Sequence, residues 1–249
     1  MDRIRLAGVS KRYSRLSGPK VVSSWIFDPT FSGRSWFWSL RNVDLQMARP
    51  GTSLGIIGSN GSGKTTLLRI IAGVTNPTAG TVIVHGRVVS MLELFAGMQP
   101  DLTGRENIFL NGIVLGMRRH EIQRKLDSIV DFSGIGEFLD MPFKHYSLGM
   151  QMRLGFSLST HVEASIFLVD EAWGIGDAEF QAKSFQRLRE LTRKGVTLIL
   201  VSHDASVLRQ LAEETLWLHK GEVRAFGPTE KIIRAYLQQP SALPGDRPL

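Results

Sequence analysis

The sequence has 249 residues, a length that suits one large α/β domain or a domain with an inserted subdomain. Its uncharged apolar stretches, such as residues 109–117, are far shorter than the ~20 residues that a membrane-spanning helix needs, so we expect no such helix. The sequence contains no cysteine, which excludes a disulfide framework and thiolate chemistry. Its net charge of +7 is compatible with a nucleic acid, an anionic membrane surface or a nucleotide as partner.

The N-terminal part combines a short strand pattern with an unusual aromatic segment. Residues 4–9 alternate weakly between apolar and polar side chains and predict an edge strand, with Tyr13 just after it. Residues 14–38 contain several glycines and prolines, which predict a loop insertion. Loops are usually polar, so the aromatic side chains need a surface to cover: the protein's own core, a partner or the membrane interface. These side chains are Trp25, Phe27, Phe31, Trp36, Phe37 and Trp38.

The next feature is a phosphate-binding loop. Residues 58–66 fit the pattern G-x-x-x-x-G-K-[ST], with a strand predicted over 54–57 and a helix over 67–71. The glycines let backbone N–H groups approach phosphate oxygens, and the helix N-terminus adds partial positive charge. Lys64 should reach the β- and γ-phosphates, and the Thr65 hydroxyl should hold Mg²⁺. We therefore expect a nucleotide to contact Gly58, Ser59, Asn60, Gly61, Ser62, Gly63, Lys64, Thr65 and Thr66.

Beyond this loop the pattern changes from strands to helices. The chain turns helical at Thr103, and Glu106 lies three residues later, as in a capping box. Helices are predicted over about 105–116 and 119–132. Because this block interrupts an α/β alternation, we expect the region around 100–160 to form an inserted helical subdomain.

Polar residues follow two short apolar runs, 166–169 and 197–201, which predict strands buried on both faces. Asp170 and Glu171 follow the first run, at the carboxyl end of a strand, where ligands sit in open α/β sheets. Asp170 is expected to hold Mg²⁺, and Glu171 to orient or deprotonate the water that attacks the γ-phosphate. His203 follows the second run and can reach the same phosphate as a hydrogen-bond donor.

A Ser-x-Gly-x-Gln sequence completes the set of motifs. Ser147 is a good helix N-cap, and Gly149 lets backbone N–H groups approach an anion closely. The sequence lies 23 residues before Asp170. The order of phosphate loop, this signature, apolar-Asp-Glu and Ser-His resembles the nucleotide-binding domain of ABC transporters.

The resemblance covers about residues 3–238 and implies an α/β P-loop NTPase of ABC type that hydrolyses ATP with Mg²⁺. Such a domain has a mixed sheet core, an N-terminal antiparallel β subdomain and a helical insertion. The implied ATPase domain spans 1–240, with β regions over 1–92 and 163–227, and residues 241–249 are expected to form a loose tail.

In that family two domains pack head to tail and share each ATP, so the resemblance implies a homodimer. Asp177 matches the loop that crosses the dimer interface. Tyr13 matches the aromatic residue that stacks on adenine, with Trp36, Phe37 and Trp38 as competitors. The signature residues, which would contact the ATP bound by the partner chain, are Ser147, Leu148, Gly149, Met150 and Gln151.

Two departures from the common family pattern resemble the polysaccharide-exporter branch. The signature reads Tyr-Ser-Leu-Gly-Met-Gln, and Glu93 occupies the place of a glutamine that usually assists Mg²⁺ and the γ-phosphate. The branch implies an ATPase at the cytoplasmic face of the cell membrane, bound to a separate transmembrane permease and exporting a lipid-linked glycan such as O-antigen, capsule or teichoic acid. No nucleic-acid partner is expected. The loop residues Met91, Leu92, Phe95 and Met98 are expected either to touch the permease or to pack in the protein's own core. An importer subunit or a soluble assembly ATPase is the alternative.

Overall fold

The structure is a computed structural model that describes residues 2–16, 34–92, 95, 97–170 and 177–238. Its strands are β1 (Ile4–Leu16), β2 (Arg34–Met47), β3 (Ser53–Ile57), β4 (Ala79–Val84), β5 (Val88–Ser90), β6 (Ile166–Val169), β7 (Thr197–Val201), β8 (Glu214–His219) and β9 (Glu222–Pro228). Its α-helices are α1 (Lys64–Ile71), α2 (Gly104–Val114), α3 (Arg119–Ser133), α4 (Leu148–His161), α5 (Ala178–Arg193), α6 (Ala205–Leu211) and α7 (Thr229–Leu237).

Several sequence-predicted residues lie outside the described part of the chain. They include the two acids Glu93 and Glu171, and the tail over 241–249. The aromatic residues of the insertion that lie there are Trp25, Phe27 and Phe31.

A six-stranded sheet with the order β5-β6-β7-β3-β8-β9 forms the centre of the fold. All neighbours in it are parallel except β8 and β9, which form an antiparallel pair. Every residue of β3, β6 and β7 is buried, as their continuous apolar runs predict. The predicted bounds 166–169 and 197–201 agree with β6 and β7.

The two faces of this sheet pack against different parts of the protein. One face, including Leu54, Ile166 and Ile199, shares a hydrophobic cluster with α1 and the N-terminal strands. The other face, including Phe167 and Leu200, packs against residues of α2–α7. The sheet therefore joins the phosphate-loop helix on one side to the helical block on the other.

The N-terminal strands form a separate antiparallel sheet with the order β2-β1-β4. The prediction of an edge strand over residues 4–9 is therefore wrong, because β1 lies in the middle of this sheet and pairs with both neighbours. The predicted loop over 14–38 is also too long, since β1 continues to Leu16 and β2 begins at Arg34. Aromatic side chains favour strands, and the paired backbone lets them stack across the two strands.

The helical block over α2, α3 and α4 begins at the predicted capping box. The Thr103 hydroxyl accepts the backbone N–H of Glu106 at 3.2 Å, and the Glu106 carboxylate accepts the backbone N–H of Thr103 at 2.8 Å. The latter contact lowers the pKa of Glu106. The three helices contact one another, and α4 also contacts α5. The helices predicted over 105–116 and 119–132 correspond to α2 and α3.

Asn107 fixes the chain that enters this block. Its side chain is fully buried, and its carbonyl oxygen accepts the backbone N–H of Gln99 at 2.7 Å. Its amide nitrogen donates to three backbone carbonyls, those of Gln99, Leu102 and Thr103, at 3.0–3.1 Å. A buried polar side chain that satisfies this many backbone groups holds the loop in one conformation.

Within the part of the chain that the structure describes, none of the helices combines the length and the apolar character that crossing a membrane requires.

Candidate nucleotide-binding site

The phosphate loop connects β3 to α1 in a conformation that depends on its glycines. Gly61 and Gly63 have φ angles of 76° and 104°, in the left-handed region that favours glycine. A Cβ at Gly63 would also overlap the backbone carbonyl of Ser39, and a Cβ at Gly58 would overlap that of Leu218. The loop is thus held close to its neighbours, and residues with a side chain cannot replace these glycines without movement.

Lys64 lies inside the loop rather than in solvent. Its side chain is buried, and its ammonium group donates to the carbonyl oxygens of Gly58 at 2.9 Å and Ser59 at 3.2 Å. The Ser62 hydroxyl is buried in the same loop and has no hydrogen-bond partner among the described residues. Because a buried hydroxyl without a partner costs free energy, its position indicates that this loop is built to receive a polar ligand.

An open cavity of about 470 Å³ lies over the phosphate loop and reaches the aromatic end of the N-terminal sheet. Tyr13 and Phe37 line it at one end, with their ring centroids 5.8 Å apart and their planes 31° from parallel. The Lys11 ammonium lies 5.1 Å from the centroid of the Tyr13 ring. The cavity residues are Tyr13, Phe37, Ser39, Asn60, Gly61, Gly63, Lys64, Thr65, Thr66 and Arg69.

The cavity lining separates the aromatic residues that the sequence offers for stacking on adenine. Tyr13 and Phe37 belong to its lining, whereas Trp36 and Trp38 do not. Side chains alternate along a strand, so Trp36 and Trp38 project from the opposite face of β2. The cavity therefore offers aromatic rings at one end and phosphate-binding groups at the other, and its volume is in the range of small-molecule sites.

Asp170 and His203 lie at the same edge of the central sheet as the phosphate loop. Val169 pairs with Leu200 and Leu200 with Gly55, so β6, β7 and β3 end close to one level. Adjacent strands are ~4.8 Å apart, which places the strand that ends before Asp170 about 10 Å from the strand that enters the loop. The sheet brings together the loop, Asp170 and His203, as the sequence predicts.

The segment after β7 is ordered by its own hydrogen bonds. Asp204 caps α6 by accepting the backbone N–H of Ser206 at 2.8 Å, and the Ser202 hydroxyl accepts the backbone N–H of Asp204 at 3.0 Å. Hydrogen bonds from Ser206 lower the pKa of Asp204. His203 is exposed between these two residues, at the edge of the sheet.

The signature residues lie at the start of α4 and do not line the phosphate-loop cavity. The Ser147 hydroxyl accepts the backbone N–H of Met150 at 3.2 Å, which confirms its predicted capping position. Leu148 is exposed over 56% of its surface, whereas Met150 packs partly against the core. The Gln151 side chain donates to the backbone carbonyl of Tyr146 at 3.4 Å. The exposed tip comprises Ser147 and Leu148, with Gly149 partly covered.

Asp177 joins the signature helix to α5. Its carboxylate accepts the backbone N–H of Phe180 at 2.8 Å and thereby caps α5. The other carboxylate oxygen lies 3.7 Å from the Arg153 guanidinium on α4.

Among the described residues, no group of three or more His, Asp or Glu side chains is arranged as a metal site by itself.

Sequence reasoning missed Ser39, Arg69 and Arg153. Arg69 follows Thr65 by four positions on α1, so helical periodicity alone could have placed it at the cavity. The Ser39 hydroxyl lies 2.8 Å from the hydroxyl of Thr66, a contact that depends on how β2 packs on the loop and has no local sequence signal.

Known proteins resemble this chain in sequence and in structure. A family model described as ABC transporter matches residues 40–174. The O-antigen export system ATP-binding protein RfbB of Klebsiella pneumoniae is 46% identical over 222 residues, which cover 87% of this chain and 89% of the relative. The teichoic acids export ATP-binding protein TagH of Lactococcus lactis is 42% identical over 200 residues, covering 80% of this chain and 42% of the relative.

A solved structure shares the fold. The ATP-binding cassette MJ0796, in a dimeric post-hydrolysis state bound to ADP and Pi, matches with a TM-score of 0.73 and 23% identity over 91% of this chain and 98% of that chain. The likeness confirms the fold class predicted from the motifs, an α/β P-loop NTPase of ABC type.

Proposed function

Because this chain belongs to the ABC transporter family, we propose that it is the ATP-hydrolysing subunit of an exporter of a lipid-linked polysaccharide. One observation carries the choice of substrate class. An O-antigen export protein is 46% identical over most of both chains, and a teichoic acid export protein is 42% identical over 80% of this chain. The residues of the site support ATP binding, and the membrane step would belong to a separate permease.

ATP would enter with its base against the aromatic residues and its phosphates over the loop. Tyr13 and Phe37 offer two ring faces at the end of the cavity away from Lys64. Lys64 now donates to two backbone carbonyls, and phosphate oxygens would be stronger, charged acceptors for the same ammonium group. Binding would therefore exchange internal hydrogen bonds of the loop for contacts to the β- and γ-phosphates.

The residues present fit a Mg²⁺ ion that accompanies the nucleotide. The Thr65 hydroxyl and the Asp170 carboxylate are oxygen ligands of the kind that Mg²⁺ prefers, and they follow β3 and β6, which lie on either side of β7 in the central sheet. The buried Ser62 hydroxyl without a partner indicates a loop prepared for polar ligands. When bound, the ion would neutralise developing phosphate charge. Glu93 is the third proposed ligand and lies outside the described residues.

Hydrolysis would use the acids and the histidine that follow the sheet strands. Glu171 is proposed as the base that accepts a proton from the attacking water, although the structure describes the chain only as far as the preceding Asp170. His203 would donate a hydrogen bond to the γ-phosphate, and Lys64 would offset its negative charge. These groups stabilise charge where it develops during phosphoryl transfer.

The site would be completed by a second copy of this chain. Ser147 and Leu148 are exposed at the tip of α4 and do not line the cavity of their own chain. The first residues of a helix present unsatisfied N–H groups, which suit the γ-phosphate of a nucleotide held by a facing chain. Asp177, half-exposed at the start of α5, would border the same interface.

The permease contact needs a different residue set from the predicted one. Met91 and Met98 are buried in the core, so they cannot provide an exposed docking surface. Ile113 and Val114, at the end of α2, are instead exposed over 54% and 59% of their surfaces. We propose these two residues, with the partly buried Phe95, as the apolar part of the docking surface.

Deletion of this gene in its native host tests the proposal. Surface polysaccharide should disappear and lipid-linked polymer should accumulate in the cell, and a plasmid-borne wild-type gene should restore export. Glu171→Gln should not restore it, whereas Glu213→Gln, a change at an exposed acid away from the site, should. Unchanged surface polysaccharide in the deletion strain, measured by gel analysis and cell-surface labelling, would exclude the proposed substrate class.

A further inference from the structure

The outer end of the N-terminal sheet is a two-stranded ribbon. β4 pairs with β1 only as far as Ser10, whereas the pairing of β1 with β2 continues to Leu16 and Arg34. We call residues 11–16 and 34–40 the aromatic ribbon. An isolated two-stranded ribbon is only marginally stable in water. Because further contacts of its side chains would stabilise it, we ask what each of its two faces contacts.

The two faces of the aromatic ribbon have different surroundings. Tyr13 pairs with Phe37, and both side chains line the nucleotide cavity. Arg12 pairs with Trp38, and the alternation of side chains places Arg12, Trp36 and Trp38 on the face that points away from that cavity. Trp36 is exposed over 53% and Trp38 over 39% of its surface. The proposed ATP site therefore does not account for this second face.

Arg12 lies between the two indole rings. Its guanidinium carbon is 4.6 Å from the ring centroid of Trp36 and 5.9 Å from that of Trp38. Stacking holds the plane of the guanidinium while leaving its edge N–H groups available for acceptors. Among the described residues, no ion pair to an acidic side chain is found for Arg12. The face thus presents a fixed cation flanked by two amphipathic rings.

The charged residues of the aromatic ribbon are all basic. Its two strands, residues 11–16 and 34–40, contain Lys11, Arg12, Arg15 and Arg34 and no acidic residue. Clustered cations are attracted to anionic lipids, and tryptophan favours the boundary between headgroups and acyl chains. This combination complements a bilayer with acidic phospholipids better than it complements a neutral surface.

We propose that Arg12, Trp36 and Trp38 form a contact surface for the headgroup region of an anionic phospholipid bilayer. Arg12 would bind lipid phosphate oxygens, and the two indole rings would lie among the headgroups, covered from water. This contact goes beyond the proposed export function, because it is independent of the transported substrate and of nucleotide hydrolysis. It would orient the ribbon face toward the membrane.

Vesicle binding of the purified full chain tests this surface. The wild type should cosediment with vesicles of phosphatidylcholine containing phosphatidylglycerol, on the order of tenfold more strongly than with phosphatidylcholine alone, and added salt should weaken this binding. The triple variant Arg12→Gln, Trp36→Thr and Trp38→Thr should lose this preference, since threonine keeps the strand propensity but removes the rings. ATP turnover in solution should stay at the wild-type rate.

A matched control uses the other exposed edge of the protein. Phe226, exposed over 45% of its surface, and Arg224, stacked 4.6 Å from the Trp217 ring, both lie on β9. The double variant Arg224→Gln and Phe226→Thr removes one arginine and one exposed ring and should bind vesicles like the wild type. An equal loss of binding in this control would overturn the assignment to Arg12, Trp36 and Trp38.

Hydrogen exchange on the wild type makes the test independent of whether the variant folds. Amides of residues 34–40 should exchange more slowly when anionic vesicles are added and unchanged with phosphatidylcholine vesicles. Absence of vesicle binding, equal binding to both lipid compositions, or protection confined to other strands would each refute the proposal. A protein partner would then have to cover this face.

Discussion

The ion pair between Arg153 and Asp177 is one of the side-chain links between the signature helix and the start of α5, and it gives a quantitative prediction. The charged atoms are 3.7 Å apart, with the Arg153 side chain 25% and the Asp177 side chain 63% exposed. At the dielectric of water this separation is worth about 1 kcal/mol. Side-chain entropy and salt screening reduce the expected coupling to about 0.5 kcal/mol.

Three substitutions separate this pair from the capping role of Asp177. Asp177→Asn keeps an oxygen that can accept the backbone N–H of Phe180 and loses only the charge, so it should cost about 0.5 kcal/mol of unfolding free energy. Arg153→Gln should cost a similar amount, and the double variant should cost no more than about the same amount. Asp177→Ala also removes the cap and should cost about 1 kcal/mol more.

Urea unfolding and ATP turnover of the full chain measure the two consequences. If the pair holds α4 and α5 in the arrangement needed for turnover, loss of about 0.5 kcal/mol corresponds to a twofold to threefold lower kcat in either charge variant. High salt should reduce the difference between wild type and variants. Additive stability losses of Arg153→Gln and Asp177→Asn would refute the coupling, and equal losses for Asp177→Asn and Asp177→Ala would refute the separate cap.

Three further predictions concern the cavity, the helical block and pH. Phe37→Ala should weaken binding of a fluorescent ATP analogue several-fold, while Trp36→Ala should not, since Phe37 lines the cavity and Trp36 does not; equal effects would contradict the assignment. Asn107→Ala should lower the unfolding free energy by roughly 3 kcal/mol, because several buried backbone groups lose their partner, whereas Ile113→Ala, at an exposed site on the same helix, should change it by less than about 0.5 kcal/mol. Burial lowers the pKa of His161 below its ordinary 6.5. The unfolded chain therefore binds the proton first as the pH falls. The contribution of neutral His161 to the free energy of unfolding is fully present above about pH 6.5 and decreases below it. His161→Phe should flatten that decline in urea melts, and an unchanged slope would exclude His161 as its source.

Local sequence patterns predicted the parts of the fold that depend on neighbouring residues. The apolar runs at 166–169 and 197–201 matched β6 and β7, and the Thr103–Glu106 capping box formed as expected. These signals are short-range: burial on both faces of a strand, or one hydrogen bond at a helix start, is encoded by adjacent residues.

Predictions failed where distant strands decide the outcome. The central position of β1 depends on its pairing with β4, a segment about 75 residues later, which no local pattern reports. The length of the β1–β2 ribbon likewise depends on rings meeting across strands, such as Tyr13 and Phe37. For Met91 and Met98 the sequence left a permease contact and core packing open, and the choice depends on a core formed by residues from several helices, which buries both side chains.

The proposed site is divided between two parts of the chain. The central sheet carries the phosphate loop, Asp170 and His203 at one edge, whereas the exposed signature residues belong to the helical block. The block shares one hydrophobic cluster with the sheet, and its helix α4 also contacts α5, where the Arg153–Asp177 pair lies. A nucleotide held between the loop of one chain and the signature of another would therefore act on both parts at once. Closure of the proposed dimer would then move the exposed end of α2 relative to the sheet, a physical route from ATP binding to the proposed permease.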